Sequence, residues 1–167
     1  STEPVFKPEK IELIKNEKYR LMDAKFQKTG KLGQWMMRNS ASIQINFDIT
    51  CERDLEEMAF ISDALHPIAS YIFSNSPFKL GAPVGTKNLR SLIWDDTDKD
   101  RCSNLFNHGI NSSKNLINNY ISYVLEVPSL FRINKYGDIE KSNATIGEEL
   151  KKANSNQSLE SGIIRFY

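Results

Sequence analysis

The sequence has 167 residues, of which 40% are hydrophobic, and its 22 lysines and arginines nearly balance 21 aspartates and glutamates. This length and apolar content are typical of one globular domain and exclude a disordered chain. The net charge of +1 does not indicate a basic surface for binding nucleic acid. No apolar run has the length of a membrane helix, which needs about 20 residues. We therefore expect neither nucleic acid nor a membrane as a partner, and the polar N-terminus without a signal peptide predicts a cytoplasmic protein.

The first predicted elements are a short helix over residues 17–27 and a turn between Gly30 and Gly33. The next segment, residues 41–49, alternates between apolar and polar side chains, and a period of two is typical of a strand. Its apolar side chains are Ile43, Ile45, Phe47 and Ile49, and its polar side chains are Ser42, Gln44, Asn46 and Asp48. We expect the apolar face to be buried under the following helix and the polar face to lie on the other side.

That following helix is predicted over residues 52–73, with Thr50 as its cap and an apolar stripe at helical spacing. Pro67 lies inside the pattern and should kink the helix or split it in two. Residues 75–89 are rich in glycine and proline and are expected to form a long loop. Residues 90–95 are then predicted to form a short strand.

The C-terminal third contains three further predicted elements. A helix is expected over residues 114–126, followed by a hairpin over residues 129–140. Thr145 and Glu148 have the spacing of a capping box and should open another helix. The apolar run at residues 163–167 resembles the beginning of a strand.

The polar face of residues 41–49 has two interpretations. It can be the water-exposed face of an antiparallel strand, which is the commoner arrangement. It can also line a polar pocket, where neutral amides would hold a phosphate-bound metal or a substrate carboxylate. The residues alone leave both interpretations open.

Residues 90–101 combine several acids with two arginines and a tryptophan. An acidic surface loop is the plain interpretation of such a segment. Asp96, Asp98 and Asp100 resemble the start of a calcium loop, but the required glycine and terminal glutamate are missing, which excludes that motif. Arg90 precedes an apolar run and could project into a pocket, where its guanidinium would pair with a carboxylate.

Four regions, in order and with compatible spacing, resemble the glutamate–cysteine ligases of the plant and proteobacterial type. The third region reads LHPIASYIFSNSPF against LQPIAxxLFANSPF, and the fourth reads RSLIWDDTDKDR against RSxIWxxTDxDR. The four regions are residues 18–38, 42–48, 65–78 and 90–101. The resemblance covers roughly residues 17–135, and its last two motifs are specific.

The resemblance implies an α+β fold with a glutamine-synthetase-like catalytic domain, in which helices pack on a curved antiparallel sheet. The sheet of such enzymes holds ATP and Mg²⁺ on its concave face. The γ-carboxylate of glutamate is phosphorylated, and the amine of cysteine, or another small amine, displaces the phosphate from this acyl phosphate. Metal ions neutralise charge on the transferred phosphoryl group. The expected function is thus an ATP-dependent ligase of glutathione biosynthesis.

The matching motifs also imply roles for individual residues. Arg90 would bind the carboxylate of glutamate, and Gln44 and Asn46 would face the metal–nucleotide site, with Gln44 as a metal ligand. The further substrate-binding candidates are Arg38, Trp94 and Arg101. No catalytic residue can be assigned. Arg38 stands one residue before the arginine of the family, so its contact is lost or rebuilt, because such a shift turns a strand side chain to the other face.

Two segments of the family have no counterpart in residues 1–167: a strand with magnesium-binding glutamates and a C-terminal strand with arginine and glutamate. We therefore expect residues 1–167 to be one domain, part of a larger catalytic domain and inactive alone. Open sheet edges would favour a homodimer or poor solubility. Two alternatives stay open: an inactive amino-acid or nucleotide-binding module that retains the sheet, and an unrelated α+β interaction domain.

Overall fold

The computed structural model describes residues 1–134 and 136–155, and the expected strand at residues 163–167 lies outside the described residues. The fold is α+β, with helices and two small antiparallel hairpins. The helices are α1 (Glu17–Thr29), α2 (Gly33–Asn39), α3 (Glu52–Ile72), α4 (Leu89–Asp95), α5 (Lys99–Cys102), α6 (Leu116–Glu126) and α7 (Ile146–Ser155). The strands are β1 (Phe78–Lys79), β2 (Ala82–Pro83), β3 (Arg132–Ile133) and β4 (Ile139–Glu140), and short 3-10 helices cover Pro8–Lys10 and Leu105–His108.

Helix α1 confirms the first predicted helix and continues it to Thr29. It begins after Asn16, whose side chain accepts a hydrogen bond from the Lys18 backbone N–H at 2.9 Å and so satisfies one free donor of the first turn. Met22 and Phe26, four residues apart on one face, are both buried. This face anchors α1 to the rest of the N-terminal helices.

The turn between α1 and α2 packs closely against the end of α4. A Cβ atom at Gly30 would lie 1.9 Å from the backbone oxygen of Asp96, so only glycine allows this approach. The Thr29 hydroxyl donates to the Thr97 backbone oxygen at 2.8 Å across the same contact. The turn thereby fixes the C-terminal end of α4.

The predicted strand over residues 41–49 is wrong: residues 41–50 form neither helix nor strand and are exposed. Ile43, Ile45 and Phe47 are 94%, 73% and 66% exposed, so the alternating apolar face is not buried. A strand needs a paired ladder of backbone hydrogen bonds. The described residues supply such pairing only at the start, where Thr2 bridges to Ser40.

Helix α3 confirms the long helix predicted next to this segment, but its N-cap residue is Cys51 and not the predicted Thr50. It runs without interruption through Pro67, so of the two expected outcomes, a kink or a split, the split is wrong. None of its residues falls in the buried class, and Leu65 in the predicted apolar stripe is 51% exposed. Helix α3 therefore does not cover the apolar side chains of residues 41–49.

Residues 90–95 lie in helix α4 and not in the predicted short strand. Asn88 caps this helix by accepting a hydrogen bond from the Ser91 backbone N–H at 3.3 Å. Leu89 and Ile93, four residues apart, are 5% and 0% exposed. Helix α4 packs against α2. Because this contact buries one face of a helix, the short apolar run forms a helix and not a strand.

The helix, the hairpin and the capped helix that were predicted between residues 114 and 155 are confirmed in type. Helix α6 begins at Leu116, two residues later than expected, and β3 pairs with β4 in a hairpin that joins Arg132 to Glu140. The capping box before α7 is formed: the Thr145 backbone N–H donates to Glu148 Oε2 at 2.9 Å, and the Glu148 backbone N–H donates to Thr145 Oγ1 at 3.3 Å. No helix in the described part of the chain has the length and apolar content to cross a membrane.

Candidate functional site

Helix α4 brings the two most informative side chains of the sequence together. The guanidinium carbon of Arg90 lies 5.1 Å from the centre of the Trp94 ring, one helical turn further on. The Arg90 backbone N–H donates to the Ser76 hydroxyl at 3.1 Å, which ties the first turn of α4 to the loop before β1. The indole face thus restricts the guanidinium to one side of the helix.

Two N–H donors of this pair are buried without a hydrogen-bond partner among the described residues: Arg90 Nε and Trp94 Nε1. Burial lowers the pKa of Arg90, because desolvation disfavours its charged form. Buried donors of this kind are costly unless an acceptor satisfies them. The pair is chemically suited to an anionic oxygen ligand.

A hydrogen-bond network that sequence reasoning missed holds α4 against the end of α3. Asn88 Nδ2 donates to the Ser70 hydroxyl at 2.6 Å, and the Ser70 and Ser91 hydroxyls are 3.0 Å apart. Ser76, which is 3% exposed, holds the Arg90 backbone. Ser70 and Ser76 lie within the third family-like region, so that motif was the available signal for their importance.

Gln44 and Asn46 form no hydrogen bond with the Arg90 side chain among the described residues. Both belong to the exposed residues 41–50. Arg90 is nevertheless near the start of this segment. Its charge contributes, after burial, to the lowered pKa of the Ser1 ammonium, which donates to the Ala41 backbone oxygen at 3.0 Å. The cofactor roles of Gln44 and Asn46, and Gln44 as a metal ligand, stay predictions.

Arg38 and Arg101 are held by other parts of the protein. Arg38 Nη2 lies 3.0 Å from Asp23 Oδ2, and this pair joins α1 to α2. Arg101 forms a buried ion pair of 2.7 Å with Asp98, and it also donates to the backbone oxygen of Pro128. These contacts give both arginines a structural task, and their role in substrate binding stays a prediction.

The described residues do not contain a ready magnesium site. No group of three or more histidine, cysteine, aspartate or glutamate side chains lies close enough together within residues 1–134 and 136–155 to hold a metal ion. Mg²⁺ in proteins is bound mainly by carboxylates, phosphates and water. The described residues therefore offer no cluster of three or more carboxylates for this ion.

Sequence similarity to known proteins gives independent evidence on the family of this chain. The sequence profile described as Glutamate-cysteine ligase family 2 (GCS2) matches residues 1–161. The chain belongs to this family. The resemblance found in the four sequence regions is thereby confirmed.

Plant members of the family include several similar proteins. The chain is 37% identical over 141 residues to glutamate–cysteine ligase, chloroplastic, of Arabidopsis thaliana, which covers 81% of the chain and 26% of the relative. It is 38% identical over 133 residues to glutamate–cysteine ligase A, chloroplastic, of Oryza sativa subsp. indica, covering 77% of the chain and 26% of the relative. The corresponding protein of Brassica juncea is 36% identical over 141 residues, covering 81% of the chain and 26% of the relative.

Two consequences follow from these relatives. The chain spans about a quarter of the length of the curated relatives it matches. All three relatives are named chloroplastic. That finding overturns the expectation of a cytoplasmic protein, which rested only on the polar N-terminal residues.

Proposed function

We propose that this chain supplies the glutamate-recognition part of an ATP-dependent glutamate–cysteine ligase. The complete enzyme would join the γ-carboxylate of glutamate to the amine of cysteine through an acyl phosphate, as in glutathione biosynthesis. The observation that carries the proposal is the pairing of Arg90 with Trp94 on α4, with a buried and unsatisfied N–H donor on each. Membership in the family supports the choice of glutamate and cysteine as substrates.

The chemistry of the pair explains why a carboxylate is the proposed ligand. A guanidinium presents a planar fork of N–H donors that matches the two oxygens of a carboxylate. The Arg90 Nε donor is part of that fork, and Trp94 Nε1 offers a further donor that can bind only an acceptor. Because Arg90 is partly desolvated, its charge is screened less by water than on an open surface.

The remaining parts of the proposal concern the fold and the nucleotide. We propose a glutamine-synthetase-like sheet in the complete enzyme, with ATP as phosphoryl donor and Mg²⁺ as its counter-ion. Gln44 and Asn46 would contribute neutral amide oxygens to that site. The described residues hold no cluster of three or more potential metal-binding side chains, so Gln44 and Asn46 would be only part of the ligand set of that site.

An affinity measurement tests the proposal. In an active ligase that carries this segment, Arg90→Ala should weaken glutamate binding by about 2–5 kcal/mol, the usual cost of removing one partner of a buried charged pair. Arg20→Ala is the matched control, because Arg20 forms an exposed pair with Glu17 on α1. Glutamate affinity within about twofold of the parent for Arg90→Ala, a difference of only about 0.4 kcal/mol, would contradict the proposal.

The same preparation separates a ligase from an inactive binding module. ADP release that depends on glutamate, cysteine and Mg²⁺ supports the ligase. Saturable glutamate binding that requires Arg90 but yields no ADP would favour the binding module instead.

A further inference from the structure

A cavity lies on a different set of elements from the Arg90 site. It has a volume of about 210 Å³ and is enclosed by α3, α5, the 3-10 helix Leu105–His108 and α6. The side chains that matter for its chemistry are Asp63, Asp100, His108, Tyr120 and Tyr123. The sequence patterns assigned none of these five residues to a common site.

Aromatic rings form one wall of this cavity. The His108 ring stacks on the Tyr123 ring at a centroid distance of 4.0 Å and an angle of 27°, and the Tyr120 ring lies 6.4 Å from that of Tyr123. The Tyr123 hydroxyl donates to the Asp100 backbone oxygen, which fixes the ring. Burial, together with the charge of Asp100, raises the pKa of Tyr123 to about 12, so the phenol stays neutral at physiological pH. The Tyr123 side of this wall is therefore uncharged and rich in π electrons.

The other lining groups include two carboxylates, those of Asp63 and Asp100. Asp63 Oδ2 accepts from the Leu105 backbone N–H at 3.0 Å, whereas Oδ1 accepts no hydrogen bond from a described residue. The carboxylate of Asp100 likewise has no side-chain donor in the described part of the chain. Arg101 also lines the cavity, but its charge is paired with Asp98 at 2.7 Å. The uncompensated charge at the cavity is therefore negative.

We propose that this cavity binds a small organic ammonium ion. An ammonium group is attracted to the face of an aromatic ring and gains further from a nearby carboxylate that lacks a donor. Known binding sites for drug-sized molecules have about 300 Å³ or more, so a volume of about 210 Å³ suits a smaller ligand. The proposal is independent of the Arg90 site, because arginine and tryptophan donors select an anion and this cavity selects a cation.

Histidine signals provide a direct probe of the cavity. The sequence has two histidines, and His66 lies on the exposed surface of α3 whereas His108 is part of the cavity wall. In an NMR titration of the chain with n-butylammonium, the imidazole signals of His108 should shift with saturation and those of His66 should not. 1-Butanol, which has the same chain length without the charge, should cause no saturable shift of His108.

Two charge-neutralising variants on the same helix make the test specific. Asp63→Asn removes the carboxylate charge but keeps an oxygen that can accept from the Leu105 N–H, so the fold is retained. Glu56→Gln is the matched control, because Glu56 accepts from the Ile117 backbone N–H at 3.2 Å in the same way, outside the cavity lining. We expect Asp63→Asn to raise the Kd for butylammonium about fivefold or more, as for loss of a charge-assisted contact, and Glu56→Gln to leave it within about twofold.

Three results would overturn the proposal. One is the absence of a saturable shift at His108. Another is equal binding of butanol, which would show an apolar cavity without selection for a cation. The third is equal weakening by Asp63→Asn and Glu56→Gln, which would show that only the overall negative charge attracts the ion.

Discussion

Arg101 Nη1 lies 2.7 Å from Asp98 Oδ2, and the two side chains are only 4% and 2% exposed. Asp98 also caps α5, since its Oδ1 accepts from the Asp100 backbone N–H at 3.1 Å, and Arg101 reaches the backbone oxygen of Pro128 after α6. One buried ion pair thus joins the segment after α4 to the end of α6. The family-like TDxDR motif has a structural basis here, apart from any contact with substrate.

Asp98→Ala should destabilise the chain by about 3–5 kcal/mol, because it leaves the Arg101 guanidinium buried without its partner. Urea unfolding measures the loss. The double variant Asp98→Ala with Arg101→Met should recover part of it, since the unpaired charge is removed. Glu57→Ala, which breaks the exposed pair with Arg53, should leave the unfolding midpoint unchanged. Equal losses for the buried and exposed pairs would refute this account.

Trp94→Phe should separate the two contributions of the indole to the proposed carboxylate site. It retains an aromatic face for Arg90 but removes the Nε1–H donor. We expect glutamate affinity in an active ligase to fall by about 1–3 kcal/mol if this donor binds substrate, with no loss of thermal stability. Unchanged glutamate affinity would show that Trp94 packs against Arg90 but does not bind the substrate through its N–H.

The two cysteines should differ strongly in reactivity. Burial, followed by the charge of Asp98, raises the pKa of the Cys102 thiol to about 11, whereas Cys51 is exposed. The thiolate is the reactive form, so Cys102 should react slowly with iodoacetamide. Intact mass should show one fast adduct on the folded chain and two in urea. A Cys51→Ser variant that still gains a fast adduct would contradict the assignment.

The raised pKa of Cys102 also predicts a loss of stability in alkaline solution. An unfolded thiol releases its proton from roughly pH 8.5, whereas the folded thiol keeps it until about 11. The unfolded state then binds fewer protons, so the free energy of unfolding falls as pH rises through this window. Urea titrations between these pH values should show a shallower decline for Cys102→Ala, and an unchanged slope for Cys51→Ser. Identical slopes for both variants would rule out Cys102 as the cause.

Gly30→Ala should destabilise the chain by about 1–3 kcal/mol or more, because the added Cβ meets the Asp96 backbone oxygen and overpacks the contact with α4. Thermal unfolding is a sufficient measurement. Gly109→Asn is the comparison, since Gly109 has φ 77° with nothing within 4 Å of a Cβ, and asparagine tolerates this conformation. A smaller loss of stability for Gly30→Ala than for Gly109→Asn would show that the turn does not pack closely against α4.

Local sequence patterns were sufficient for the elements whose signals lie within one or two turns. Helix α1, helix α3, and the capping box of Thr145 and Glu148 were all predicted, because caps and helical periodicity act between residues a few positions apart. Four ordered motifs also sufficed to identify the family. They also assigned Arg90 a role in binding glutamate, which stays a prediction.

Tertiary structure decided the features that depend on distant partners. Residues 41–49 have an alternating pattern, but a strand forms only where another segment pairs with its backbone, and the described residues do not provide that ladder. Residues 90–95 form a helix because α2 buries Leu89 and Ile93 together. The stacking of His108 on Tyr123 joins the 3-10 helix Leu105–His108 to α6, and Arg101 reaches the Pro128 backbone oxygen after α6; no local pattern encodes either contact.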